Sequence, residues 1–97
     1  MEIQFTPESV ADLEWLRQFL VEAGAPYAKR MANDIVQSLR NVQLFPRLGL
    51  SVQRAPVPDV IRDLYVGKYC VRYLIAMEAI YILRVWHGRE DERNKVP

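Results

Sequence analysis

A chain of 97 residues, 51% hydrophobic and 26% charged, is scaled for one small globular domain, residues 1–97, with apolar material for a single core. A net charge of +1 gives no general attraction to nucleic acid, and one cysteine, Cys70, excludes an internal disulfide and fits a reducing compartment. No apolar run approaches the ~18 residues of a membrane span and no secretory pattern opens the chain, so no membrane contact and a cytoplasmic location are the expectations.

Glu2–Phe5 reads as a short strand with Ile3 and Phe5 on one face. Thr6-Pro7 then suits a helix start, because threonine caps and proline fits the first helical position. The predicted helix runs to about Glu22, with Val10, Leu13, Leu16 and Leu20 as its apolar stripe. Trp15 and Phe19, four residues apart, form a second, aromatic face. It either packs on the next helix or lines a partly exposed groove for another chain. Ala23-Gly24-Ala25 breaks the helix, and Pro26 opens a second one in which Ala28, Met31, Ala32, Ile35, Leu39 and Val42 recur at helical spacing to about Leu44. The two helices read as an antiparallel hairpin, which Phe45-Pro46-Arg47-Leu48-Gly49 ends. Leu50–Asp59, with Pro56 and Pro58, reads as an extended connector.

Three strands are predicted next: Val60–Val66, Tyr69–Ala76 and Ala79–His87. Gly67 supplies the positive φ of a II′ hairpin turn, whereas Ala76-Met77-Glu78-Ala79 predicts a looser one. Alternation puts Tyr69, Val71, Tyr73 and Ile75 on one face of the second strand and Cys70, Arg72, Leu74 and Ala76 on the other. In the third it separates Ala79, Tyr81, Leu83, Val85 and His87 from Ile80, Ile82, Arg84 and Trp86. Neither face is cleanly polar, which predicts helices on one side and a partner on the other. The fold class is therefore α+β, β-α-α-β-β-β, a helical hairpin on a small, twisted, mainly antiparallel sheet. Leu13, Leu16, Leu20, Ile35, Leu39, Val71, Tyr73, Ile82 and Leu83 are the predicted core.

The chemistry-bearing residues are sparse. His87, the only histidine, suits either a general base near neutral pH or a turn-ordering contact. His87, Glu90 and Asp91 match no metal spacing, and Gly24, Gly49, Gly67 and Gly88 stand too far apart for a phosphate loop, so neither metal nor cofactor is expected. Arg62, Arg72, Arg84 and Arg89 are candidates to line one surface, though Arg62 and Arg72 equally suit pairing with Asp63, Glu78 or Glu90 in a solvated network. Cys70, mid-strand, reads as a small buried hydrophobe.

The ordered set Ala11-Asp12-Leu13, Leu44 through Gly49, Ile61 through Leu64, Gly67 through Tyr73 and Ile80 through Arg89 resembles the RelE/ParE superfamily of toxins from bacterial type II toxin–antitoxin systems. That resemblance implies a toxin neutralised by a cognate antitoxin, a protein whose partly disordered tail folds along it in a hetero-oligomeric complex. It also implies one of two targets. The RelE-like branch cleaves messenger RNA on the ribosome without a metal and needs cationic and acid/base groups at the scissile phosphate. The ParE-like branch poisons DNA gyrase. A third possibility is a non-toxic antitoxin-binding module. Arg62 and Arg89 fall near basic positions of the nuclease branch, with His87 as the third candidate for catalysis. Cys70, however, stands where that branch tends to carry arginine, and no tyrosine follows Arg89. The His87-Gly88-Arg89 ending is similar to ParE-type chains, so the ParE-like branch is favoured. Candidate target contacts are then Arg62, Arg84, His87, Arg89 and Arg93; candidate antitoxin contacts are Trp15, Phe19, Arg72 and Trp86.

Overall fold

The computed structural model describes residues 1–88. Local chemistry starts the first helix before packing does. Thr6 is extended (φ −73°, ψ 158°), its hydroxyl oxygen accepts from the Ser9 amide at 3.1 Å, and Pro7 follows in the first turn. Helix α1 spans Pro7–Ala23 and α2 spans Ala25–Leu44, with Gly24 alone between them. A single 3₁₀ turn, Pro46–Leu48, follows α2.

Five strands make one sheet: β1 (Glu2–Phe5), β2 (Leu50–Ser51), β3 (Ile61–Val66), β4 (Tyr69–Ile75) and β5 (Ala79–His87). Their order is β1-β5-β4-β3-β2. Only the β1–β5 pair is parallel, because the helical hairpin carries the chain across between β1 and the antiparallel meander. This is the expected α+β arrangement. One strand is additional: the connector expected from Leu50 to Asp59 begins with β2, whose Leu50 and Ser51 pair with Asp63 and Arg62. Two residues are too few to show an alternation, so the strand is set by the edge of β3. At the β3–β4 turn Gly67 has φ +59° and no non-glycine residue described has positive φ, which fits the II′ turn.

The core forms where the helices lie on the sheet. Leu16 and Leu20 from α1 and Met31, Ile35 and Val42 from α2 close over Val66, Tyr69, Val71, Tyr73, Ile80, Ile82 and Val85. Leu13 and Leu39 are only partly buried beside it, and Val10, expected in the same stripe, is exposed.

The alternation expected along β5 fails at one point. Ile80 and Ile82 stand opposite Ile75 and Tyr73, but beyond the bulge Val85 and His87 stand opposite Val71 and Tyr69. Leu83 is the extra residue. A bulge resets the phase of every side chain after it, so Val85 and His87 join the helix-covered face and Leu83, expected in the core, is half-buried. Residues of α1 and its cap hold the bulge. The Thr6 hydroxyl lies 3.0 Å and 2.9 Å from the Ile82 and Leu83 carbonyl oxygens, sharing its proton between them. The Asp12 carboxylate accepts from the Val85 amide at 2.9 Å and twice from the Arg84 guanidinium, at 2.8 Å and 3.0 Å. Asp12→Ala should therefore destabilise the fold by about 2–4 kcal/mol, since it takes from the Val85 amide its acceptor and from half-buried Arg84 its bidentate carboxylate. Urea denaturation of the variant checks this, and Asp12→Asn should recover part of the loss.

Candidate functional site

Between the two helices runs an apolar groove of about 510 Å³. Leu13, Leu16, Leu20 and Val21 form one wall and Ala28, Ala32, Ile35, Val36 and Leu39 the other, with Phe5 among the lining residues. The alanines that let the helices approach also leave the space, because a methyl fills little of what a leucine would. The charged side chains among its lining, Arg17 and Lys29, are both cationic. A groove at Trp15 and Phe19 was one of two readings of that aromatic face, and this one was not anticipated. Its signal is the alanine spacing on α2, where Ala28 and Ala32 recur four residues apart.

Trp15 and Phe19 stay largely open to solvent. Their rings stack on each other at 5.8 Å, 10° from parallel, and remain 55% and 43% exposed. Phe19 also meets the His87 ring at 6.5 Å, and His87 stands edge-on to Tyr69 at 5.1 Å. The bulge makes this contact possible, by turning His87 to the helix side of the sheet. One aromatic row thus joins two candidate antitoxin contacts to a candidate target contact. The Tyr69 hydroxyl beneath it is buried without a hydrogen-bond partner among the described residues, and burial, helped by the adjacent Tyr27 phenol, raises its pKa.

Arg62 is committed to structure. Its Nε donates to the Gly49 carbonyl at 2.8 Å and one terminal nitrogen to the Asp59 carbonyl at 2.8 Å. Beside it the Tyr73 hydroxyl donates to the Pro46 carbonyl at 2.6 Å and accepts from the Gly49 amide at 2.9 Å. Gly49 is required by close approach, since a Cβ there would lie 2.8 Å from the Asp63 carbonyl oxygen and 2.9 Å from the Tyr73 hydroxyl. Burial raises the Tyr73 pKa. Its phenol therefore contributes stability below its ordinary value of about 10, a contribution lost as pH rises beyond it. Tyr73→Phe should cost about 1–3 kcal/mol at neutral pH by leaving a buried amide and carbonyl unpaired. Denaturation at pH 7 and above pH 10 should show the difference from wild type narrowing at the higher pH.

The arginines do not gather on one surface. Arg62 stands opposite Tyr73, on the helix side; Arg72 and Arg84 face each other across the β4–β5 pair on the other side. Arg72 is only 2% exposed, bidentate to Asp63 at 2.8 Å and 2.9 Å, with the Trp86 ring at 5.1 Å. Arg72 and Trp86, both expected at an antitoxin contact, are thus interior groups of this fold. Their burial was hidden in the sequence because a strand arginine reads as solvent-facing until its partner across the ladder is known. Arg84 is held by Asp12. His87 and Arg62 stand two strands and four β4 positions apart, roughly 16 Å between backbones by strand geometry, so they share no reaction centre. Arg89 and Arg93 lie outside the described residues. Cys70 is buried, as expected. Among the described residues no three histidine, cysteine or carboxylate side chains gather as a metal site, and no helix is long and apolar enough to cross a membrane.

Comparison with known proteins gives these surfaces a context. The model of the ParE toxin of the type II toxin–antitoxin system parDE matches residues 3–92. The chain belongs to the ParE toxin family. A solved structure titled as the chromosomal ParDE toxin–antitoxin system from P. aeruginosa shares the fold, with TM-score 0.68 and 23% identity, over 90% of this chain and 95% of that one. No curated protein matches the sequence.

Proposed function

We propose that this ParE-family chain acts in the cytoplasm as a poison of DNA gyrase and is neutralised by an antitoxin whose amphipathic helix lies in the α1–α2 groove. The observation that carries the choice of target is the separation of the basic and acid/base candidates. A metal-independent nuclease needs cationic and proton-transfer groups converging within about 3 Å of one phosphate. Arg62 is bound into the Gly49 corner and His87 sits among aromatic rings at the far end of the sheet. A poison needs no such convergence: it binds a catalytic intermediate of another enzyme and slows its resolution, which asks only for a firm contact surface.

The antitoxin reading rests on the groove. From Ala28 to Leu39 its α2 wall runs about 17 Å, the length of a three-turn helix. Arg17 and Lys29 favour an occupant whose apolar stripe is flanked by carboxylates. A segment disordered alone would order as it buries that stripe. The exposed pair Trp15 and Phe19 lies beside His87, so a partner reaching that row would cover a candidate target contact at the same time.

Controlled induction of the chain in cells, with DNA-damage response and protein synthesis followed together, tests this reading. DNA damage should rise before translation slows, and co-expression of the cognate antitoxin should prevent it. Immediate translation arrest with breaks at the ribosomal A site would favour the nuclease branch; no effect at all would favour a non-toxic binding module.

A further inference from the structure

The apolar surface of α1 does not end with the groove. A second depression, of about 320 Å³, is lined by Phe5, Val10, Leu13, Glu14 and Arg17. Its four α1 residues follow one another at the spacing of a single helical stripe, so α1 gives it a continuous floor. Phe5 and Val10 are 43% and 44% exposed. Val10, expected in the core stripe, thus lines this depression instead. Phe5, Leu13 and Arg17 line both spaces, so whatever fills the groove borders the depression.

We propose that this depression is a second seat for the antitoxin, taking one large apolar side chain from the stretch of chain that adjoins its groove helix. The proposal rests on that helix lying in the groove and on nothing about the target. Two observations select the occupant. First, the depression is continuous with the groove but has one wall fewer, since no α2 residue lines it. A helix held between two walls loses one of them there, and a chain continuing past Phe5 follows α1 alone. Such a site is too small to hold a protein by itself. It works for a chain already anchored next to it, because the second contact then forms within the complex at high effective concentration. Second, the charge changes. The charged side chains lining the groove are the cations Arg17 and Lys29, whereas the depression adds Glu14. The carboxylates that suit the groove's flanks would meet a like charge here. The second seat therefore favours an apolar side chain accompanied by a lysine, an arginine or an amide.

Titration calorimetry of the cognate antitoxin against the full chain tests this, with Val10→Lys beside Val36→Glu and the wild type. Val10→Lys should keep its circular dichroism and bind about tenfold more weakly, and Val36→Glu should bind more weakly still. A photo-crosslinker attached to Val10→Cys, with Cys70 buried away from the reagent, should capture antitoxin residues beside the stretch captured from Val36→Cys. Capture of the same stretch from both positions would overturn the proposal. If Val36→Glu weakens binding and folded Val10→Lys binds like the wild type, the helix keeps its place in the groove and the second seat is overturned. If neither variant weakens binding, the groove is not the antitoxin site and the second seat falls with it.

Discussion

Asp63→Ala should destabilise the protein by about 3–5 kcal/mol, because it leaves the Arg72 guanidinium charged, buried and without its bidentate acceptor. For a domain of this length each 1 kcal/mol lowers Tm by about 4–8 °C, so the loss is a large part of the margin on which small domains stand. The Trp86 ring offers partial compensation only, since a cation over a ring contributes about 0.5–2 kcal/mol. Thermal and urea unfolding should show the loss, and antitoxin binding should shift the midpoint back by mass action. The paired replacement Asp63→Leu with Arg72→Met should recover much of it, because it removes the buried charge together with its bidentate acceptor. A wild-type midpoint in Asp63→Ala would mean that the ion pair does not hold the β3–β4 ladder.

Val36→Glu should weaken antitoxin binding about a hundredfold while leaving the toxin folded and active. Val36 lines the groove wall and is half exposed, so the change perturbs the proposed docking surface rather than the core. A carboxylate placed against an apolar, acid-flanked helix must either lose its water or repel its neighbours, and central interface anchors commonly carry about 2–4 kcal/mol. Titration calorimetry with the cognate antitoxin measures the affinity, and cell killing in the presence of antitoxin reads the consequence. Val36→Ala, which keeps the groove apolar, should lose far less. Undiminished affinity in Val36→Glu would place the antitoxin elsewhere, with the Trp15–Phe19 row the next surface to alter.

The elements and their order were legible in the residues because each carries its own punctuation. Thr6-Pro7, Gly24, Pro46 and Gly67 fall where helices and hairpins begin or end, and the three meander strands agree with the expected spans to within one residue at either end. What could not be read was anything fixed by a distant partner. The β5 bulge depends on Thr6 and Asp12, more than 70 positions away, and without it His87 was assigned to the wrong face. Pairing of Arg72 with Asp63 was one of the two readings the residues allowed, but its burial, and the hold of Gly49 and Asp59 on Arg62, arise only once the sheet has formed. The groove is a property of two helices together, and neither sequence stripe alone outlines it. Trp15 and Phe19 stood out as an aromatic face beyond what the core uses, and they remain exposed.

The most direct test of the account is a cleavage assay with purified gyrase, supercoiled DNA and ATP, stopped with detergent and protease so that trapped covalent complexes appear as linear DNA. The account predicts linear product that requires both the chain and gyrase, that persists when the chain carries Val36→Glu, and that the antitoxin suppresses for the wild type but not for Val36→Glu at matched concentration. Supercoiled DNA left unbroken and normally processed by gyrase at saturating chain, from protein that still binds its antitoxin, would contradict it.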